Sequence, residues 1–240
     1  MGISGAQTSI DPSNLEAFVR DELNANAKRV MAVLEPIKIR ILNLPDDKKG
    51  IKLEIADFPN APERGMHEIS FDEVLYIEAN DFREVNAEKG YRRLTSEQPV
   101  GLRYANFVIS VVDVIKENDK LIEIHANATP IDKVEKKPKA FIHWVAKPVE
   151  CEVRLYERLF KHRNPEDKAE VPGGFLSDCN SDTLKVIDNA LIDESVLSAR
   201  VYDKFQFERV GYFSIDPDSS ESRFVFNRTV LLNEDKSKNA

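Results

Sequence analysis

From Pro36 onward the apolar residues recur at every second position. Ile37, Ile39 and Ile41 alternate with Lys38 and Arg40, and Ile51, Leu53 and Ile55 alternate again beyond the stretch PDDKKG, which has turn composition. A period of two puts successive side chains on opposite faces of a strand, so these segments read as two antiparallel strands. Further strand patterns lie at residues 71–77, in PVGLRYANFVISVVDVIK and LIEIHANA joined by the turn ENDK, and in AFIHWV around Trp144. Others follow in CEVRLYERLF, TLKVID, KFQFERVGYFSID and RFVFNRTVLLN. The N-terminal region departs from this period. Leu15, Phe18, Val19 and Leu23 recur at helical spacing, Asp11 suits the N-cap and Pro12 the first helical position. A helix with that apolar face buried is predicted, ending around residues 24–26. Lys28 and Arg29 follow its end, where basic side chains complement the macrodipole. DFPNAPERG, ANDFREVNAEKG and KHRNPEDKAEVPGGF break the pattern as loops, and the tail EDKSKNA is expected to be disordered. One helix followed by ten or more short strands predicts an all-β architecture of barrels or sandwiches.

Composition narrows the function more than the fold. The chain has 240 residues, of which 42% are hydrophobic, enough for one large β domain or two small ones. Its formal net charge is −8, which argues against a protein that coats nucleic acid indiscriminately, so any nucleic-acid surface has to be local. Cys151 and Cys179 stand far apart, in no metal-ligand spacing, and fit reduced thiols in a cytosolic protein. No apolar run is long enough to span a bilayer, and MGISGAQTSI lacks the features of a signal peptide. The opening Met-Gly with a Ser downstream is a weak myristoylation pattern.

The sequence carries no recognisable catalytic motif. There is no Walker loop, dinucleotide fingerprint or nucleophile elbow. His67, His125, His143 and His162 are scattered without ligand spacing, so no metal site is expected. Two other clusters stand out. The stretch EKGYRRLTSEQPVGLRYANFVI gathers Arg92, Arg93 and Arg103 around Tyr91 and Tyr104. Arginine beside aromatic rings suits single-stranded nucleic acid, and it equally suits a strand pair with surface ion pairs. In KFQFERVGYF, alternation puts Phe205 and Phe207 toward a core and turns Gln206 away from it. The Gln206 amide offers a donor and an acceptor in one plane, as a base edge requires.

Taken together, NANAKRVMAVLEP, DFREVNAEKGYRRLTSEQPVGLR, KAFIHWV, EVRLYERLF, NPEDKAEVPGGFLSD and KFQFERVGYFSIDPDS with FVFNRTV resemble the C-terminal anticodon-binding region of the glutaminyl-tRNA synthetase family. The eukaryotic cytosolic form is the most similar, and the resemblance covers nearly the whole chain in order. It implies two β-barrels of the ribosomal-protein-like anticodon-binding fold. Residues 1–27 would end a helical linker subdomain. Residues 28–87 and 161–240 would form a proximal barrel, and 88–160 an inserted distal barrel. The anticodon would lie across both.

The resemblance also assigns roles. Arg29 and Gln206 match the readers of the central uridine, with a main-chain contact from Pro59. Arg93 matches the reader of guanine at the third anticodon position, and Arg92 a phosphate contact. Asn24, Asn60 and Arg103 match residues around the wobble base, and Arg209 a nearby basic contact. Gly90 and Gly101 depart from the bacterial pattern and leave less side chain near that base. The family's catalytic signatures are absent, which implies that this chain is an inactive part of a longer enzyme. No cofactor is then expected here, and ATP with Mg would belong to the catalytic domain. The expected partner is glutamine tRNA in the cytoplasm, with no DNA and no membrane. A glutamyl-type relative, or a docking module of a multi-synthetase complex, is the alternative.

Overall fold

The computed structural model describes residues 12–85 and 90–232. Helix α1 (Pro12–Asn26) leads into β1 (Lys28–Val30), β2 (Ala32–Val33), β3 (Pro36–Ile41), β4 (Ile51–Ala56), β5 (Met66–Phe71) and β6 (Val74–Glu78). Short strands β7 (Phe82–Arg83), β8 (Leu94–Thr95) and β9 (Val100–Leu102) precede the long hairpin β10 (Phe107–Glu117) and β11 (Lys120–Pro130). The chain continues through β12 (Phe141–Ile142), β13 (Val149–Tyr156), β14 (Leu184–Ile192), β15 (Lys204–Phe207), β16 (Gly211–Ile215) and β17 (Phe224–Leu231). The expected N-cap Asp11, the boundary at residues 87 and 88 and the C-terminal tail lie outside the described residues.

Two barrel-like sheets result. The first has the order β12-β9-β10-β11-β3-β6, and an antiparallel bridge from Tyr76 to Val145 brings its edges together. Its core centres on Trp144, which is fully buried, packs edge-on against Phe71 and donates its indole N–H to Arg103 O at 2.9 Å. Trp144 therefore lies just past β12, outside any strand. The second sheet has the order β1-β15-β16-β17-β13-β14-β2. Its two edges, β1 and β2, are separated by Met31 alone, so one extended segment serves both ends of the sheet. Phe205, Phe207, Phe213 and Phe226 fill its core, with Phe207 stacked on Phe213 at 4.0 Å.

Strand pairing partitions the chain differently from the ranges expected. Residues 36–41 and 74–78 join the sheet formed by 100–142, because β3 runs parallel to β11 and buries Ile39 and Ile41 with Ile124. Residues 149–156 belong to the other sheet, between β14 and β17. The expected hairpin of β3 with β4 does not form either. β3 pairs with β6, β4 with β5, and Asn43 in the connection is tied to Ala128. The hairpin of β10 and β11 forms as the pattern predicts, with Asn118 and Asp119 both at positive φ in the turn.

Helix α1 buries less than its periodicity suggests. Leu23 and Ala27 pack on Tyr212 and Val230 of the second barrel, with Val19 at their edge. Leu15 and Phe18 are 58% and 68% exposed, because only the C-terminal half of that face rests on the sheet.

Candidate nucleic-acid interface

Parallel pairing of β1 with β15 places Arg29 opposite Gln206, and antiparallel pairing of β15 with β16 places Gln206 opposite Tyr212. Phe205 and Phe207 point into the core, so Gln206 points outward, as alternation dictates. That outer face is roofed by α1 and is not open. Gln206 is 5% exposed, and its Oε1 has no hydrogen-bond partner. An unsatisfied buried carbonyl costs about 1–3 kcal/mol. Asn24, in the last turn of α1, accepts from Arg29 Nη2 at 3.2 Å and from Tyr212 Oη at 3.3 Å. Burial raises the Tyr212 hydroxyl above its ordinary pKa, so it stays a donor.

The loop bearing Pro59 and Asn60 is fastened to the same end of α1. Arg29 N donates to Asp57 O at 2.9 Å, and Arg64 reaches Ala25 O at 2.7 Å while covering the Phe58 ring. Pro59 and Asn60 themselves are exposed.

A second cluster joins the barrels. Beyond Phe207, Glu208 N donates to Val30 O, and Arg209 adopts a left-handed φ of 65°. This breaks strand alternation, and both side chains meet the first barrel. Glu208 is 3% exposed and accepts from Tyr104 Oη at 2.5 Å. Arg103 Nε lies 3.3 Å from the Glu208 carboxylate, an ion pair not aligned as a hydrogen bond. Burial, and then the Glu208 charge, raise the Tyr104 hydroxyl. Arg209 donates through both Nη groups to Asp81, at 2.6 and 2.7 Å, and Nη1 lies 3.2 Å from His143 Nδ1. Because a guanidinium only donates, Nδ1 of His143 accepts, which puts the proton of the neutral ring on Nε2. Asp81, 1% exposed, also holds Arg93 Nε at 3.2 Å, and Arg93 Nη1 donates to Asn80 O at 3.2 Å.

Gln206 and Glu208 are next-but-one neighbours, so the two clusters adjoin. The expected readers Asn24, Arg29 and Gln206 are brought together, and Arg93, Arg103 and Arg209 are gathered at the junction. Arg92 is exposed beside Arg93.

The chain matches the family described as tRNA synthetases class I (E and Q), anti-codon binding domain, over residues 27–129 and again over residues 141–216. It belongs to that family. It is 51% identical over 240 residues to a probable glutamine–tRNA ligase of Drosophila melanogaster, a match covering 99% of this chain and 30% of the relative. The glutamine–tRNA ligase of Bos taurus is 51% identical over 239 residues, and that of Rattus norvegicus 50% over 239 residues, with the same coverage of 99% and 30%. The chain thus spans about 30% of the length of these relatives.

Within this anticodon-binding region, Gly101 has a packing reason. A Cβ there would sit 2.4 Å from the Phe141 ring, so the missing side chain makes room for that ring. Tyr91 is half-buried, donates to Asn80 O and lies under the Arg83 guanidinium at 4.4 Å. Burial, with the Asp81 charge behind it, pushes its hydroxyl up to about 12. Sequence reasoning missed Asp81, His143, Glu208 and Tyr212. Glu208 stands in the FQFER motif, Tyr212 three residues beyond it and Asp81 in NDFRE, but nothing local shows that Glu208 and Asp81 meet partners on the other barrel or that Tyr212 meets one on α1. Among the described residues no group of three or more His, Cys, Asp or Glu is arranged to hold a metal ion.

Proposed function

We propose that this chain is the anticodon-reading part of a glutamine–tRNA ligase, the activity for which its relatives are named. The observation that carries the reading is the Gln206 carboxamide, buried with an unsatisfied Oε1 next to Arg29 in a covered recess. Uracil presents N3–H between two carbonyl oxygens. Gln206 Oε1 accepts from N3–H, and the Arg29 guanidinium donates to a carbonyl. A base with an acceptor at N3 leaves Oε1 unpaired, so selectivity comes from the penalty on the wrong base. Arg93 offers guanine O6 and N7 the donors that Asp81 and Asn80 do not occupy. Arg103, Asn24 and Asn60 border the wobble base, the Pro59 main chain contacts the central uridine, and Arg92 binds phosphate. Arg209 has its fork filled by Asp81 and braces the two barrels next to the bases.

Glutamine activation with ATP and Mg would take place on the rest of the polypeptide. A reducing, cytoplasmic setting is supported by the two cysteines, both free, with Cys151 buried. No helix among the described residues is long and apolar enough to cross a membrane.

Footprinting of a full glutamine tRNA on the chain tests the reading. Protection of the three anticodon bases and their flanking phosphates is expected. Protection confined to the acceptor stem, or none at concentrations that saturate the chain, would overturn it.

A further inference from the structure

The anticodon cluster does not stop at Asn24. Arg20 lies one turn earlier on α1, four residues back and so on the same face, about 6 Å along the helix. Its Nε donates to Leu231 O at 2.8 Å, and its charge, like that of Arg29, acts on the Tyr212 hydroxyl. From Arg20 a groove of about 840 Å³ opens between α1, the end of β17 and the chain leaving β13. Its walls carry Arg20, Arg158, Arg163 and Arg228, with Tyr156 and Phe160. Two glutamates also line it, Glu16 and Glu157, and Glu157 is already engaged by Arg228. In a chain with 42 acidic and 34 basic residues, this groove reverses the overall balance. Arg158 and Arg163 are exposed, and Tyr156 is 47% exposed.

We propose that this groove binds the sugar-phosphate backbone of the RNA strand flanking the anticodon. The inference rests on the RNA-reading function above and adds a contact of a different kind. Arginine forks bind phosphate regardless of sequence, and an accessible aromatic ring supports a ribose or a splayed base. Continuity with the Arg29–Asn24–Tyr212 cluster favours RNA over an acidic peptide. A strand leaving the Gln206 recess over Asn24 and Arg20 enters the groove directly. The contact sets register and affinity and leaves base choice to Gln206 and Arg93.

The test is fluorescence anisotropy with a glutamine-tRNA anticodon stem-loop between about 50 and 200 mM KCl, the range over which phosphate contacts are strongly weakened. Each phosphate contact contributes about 0.7–0.9 to the slope of log affinity against log salt. Replacing both Arg158→Gln and Arg163→Gln is expected to flatten that slope by about 1.5 and to weaken binding roughly tenfold at the lowest salt. Preference for the central uridine should be unchanged. The double substitution Arg158→Lys with Arg163→Lys should keep the slope. If the double glutamine variant fails to fold, each single variant is expected to give about half the change in slope. An unaltered slope and affinity overturns the proposal, and is the outcome expected if the groove serves an acidic peptide. A flattened slope in a chain that shows no base preference would leave the groove standing and refute the base-reading account.

Discussion

The Gln206 recess and the Asp81–Glu208 junction lie side by side and are built in opposite ways. At the junction the buried charges are matched by ion pairs, although Arg103 Nε and His143 Nε2 have no hydrogen-bond partner there. Asp81 holds Arg209 through two hydrogen bonds and Arg93 through an ion pair, and Glu208 holds Tyr104 and Arg103. In the recess a carboxamide is buried with its oxygen unanswered. A polar group left open in a dry site weakens the fold by itself and gains only when a ligand supplies the partner. On the proposed reading, the junction serves the fold and holds its arginines in place, and the recess serves the ligand. The difference shows why a cationic side chain at a nucleic-acid site is not automatically a contact. Arg209 sits among the readers with its donors already committed.

This contrast predicts effects of opposite sign. The largest belongs to Asp81→Ala, which strands the Arg209 and Arg93 guanidinium groups and should destabilise the chain by roughly 3–5 kcal/mol in urea unfolding. A loss below about 1 kcal/mol would mean that the junction is no brace. Arg93→Ala should cost about 1–3 kcal/mol of binding to a stem-loop with guanine at the third position, and nearly nothing when adenine replaces it. Competition anisotropy reads the ratio. Gln206→Leu should reverse the stability effect. Removing the unsatisfied amide leaves unfolding free energy unchanged or raises it by about 1 kcal/mol, and a marked destabilisation would show that the amide has a structural partner.

The smallest effect is a pH control remote from both regions. Burial alone would raise the Glu123 carboxyl, but hydrogen bonds from Lys38 and then Arg40 outweigh it and hold it down at about 2. A depressed folded-state pKa means that its stabilisation is full above the unfolded value of about 4.3. It is lost as pH falls toward 2. Glu123→Gln should remove that portion of the acid sensitivity, measured as the change in melting temperature between neutral and acid pH. An identical profile would show that the pair contributes nothing.

Sequence patterning revealed what is local. The period of two located most of the longer strands but left β1, β2, β7, β8 and nearly all of β5 unread. Asn-Asp marked the turn of the β10–β11 hairpin, and alternation in KFQFER separated Gln206 from its phenylalanine neighbours. The resemblance named residues that the fold gathers, with Arg29 and Gln206 in direct register. Pairing was not legible, because the apolar face of β3 is equally suited to β4, β6 or β11, and only the closed sheet selects among them. The junction was hidden for a related reason. Asp81 and Arg209 are far apart in sequence, and the left-handed turn at Arg209 overrides the alternation from which its direction would be inferred.

Binding of two anticodon stem-loops that differ only in uridine or cytidine at the central position, to the unaltered chain and to Gln206→Leu, tests the central claim most directly. The unaltered chain should favour uridine by roughly tenfold or more, the range a buried hydrogen-bonding group commands. Gln206→Leu should bind both with similar, weaker affinity. Equal binding of the two RNAs by the unaltered chain, or an undiminished preference in Gln206→Leu, would contradict the account.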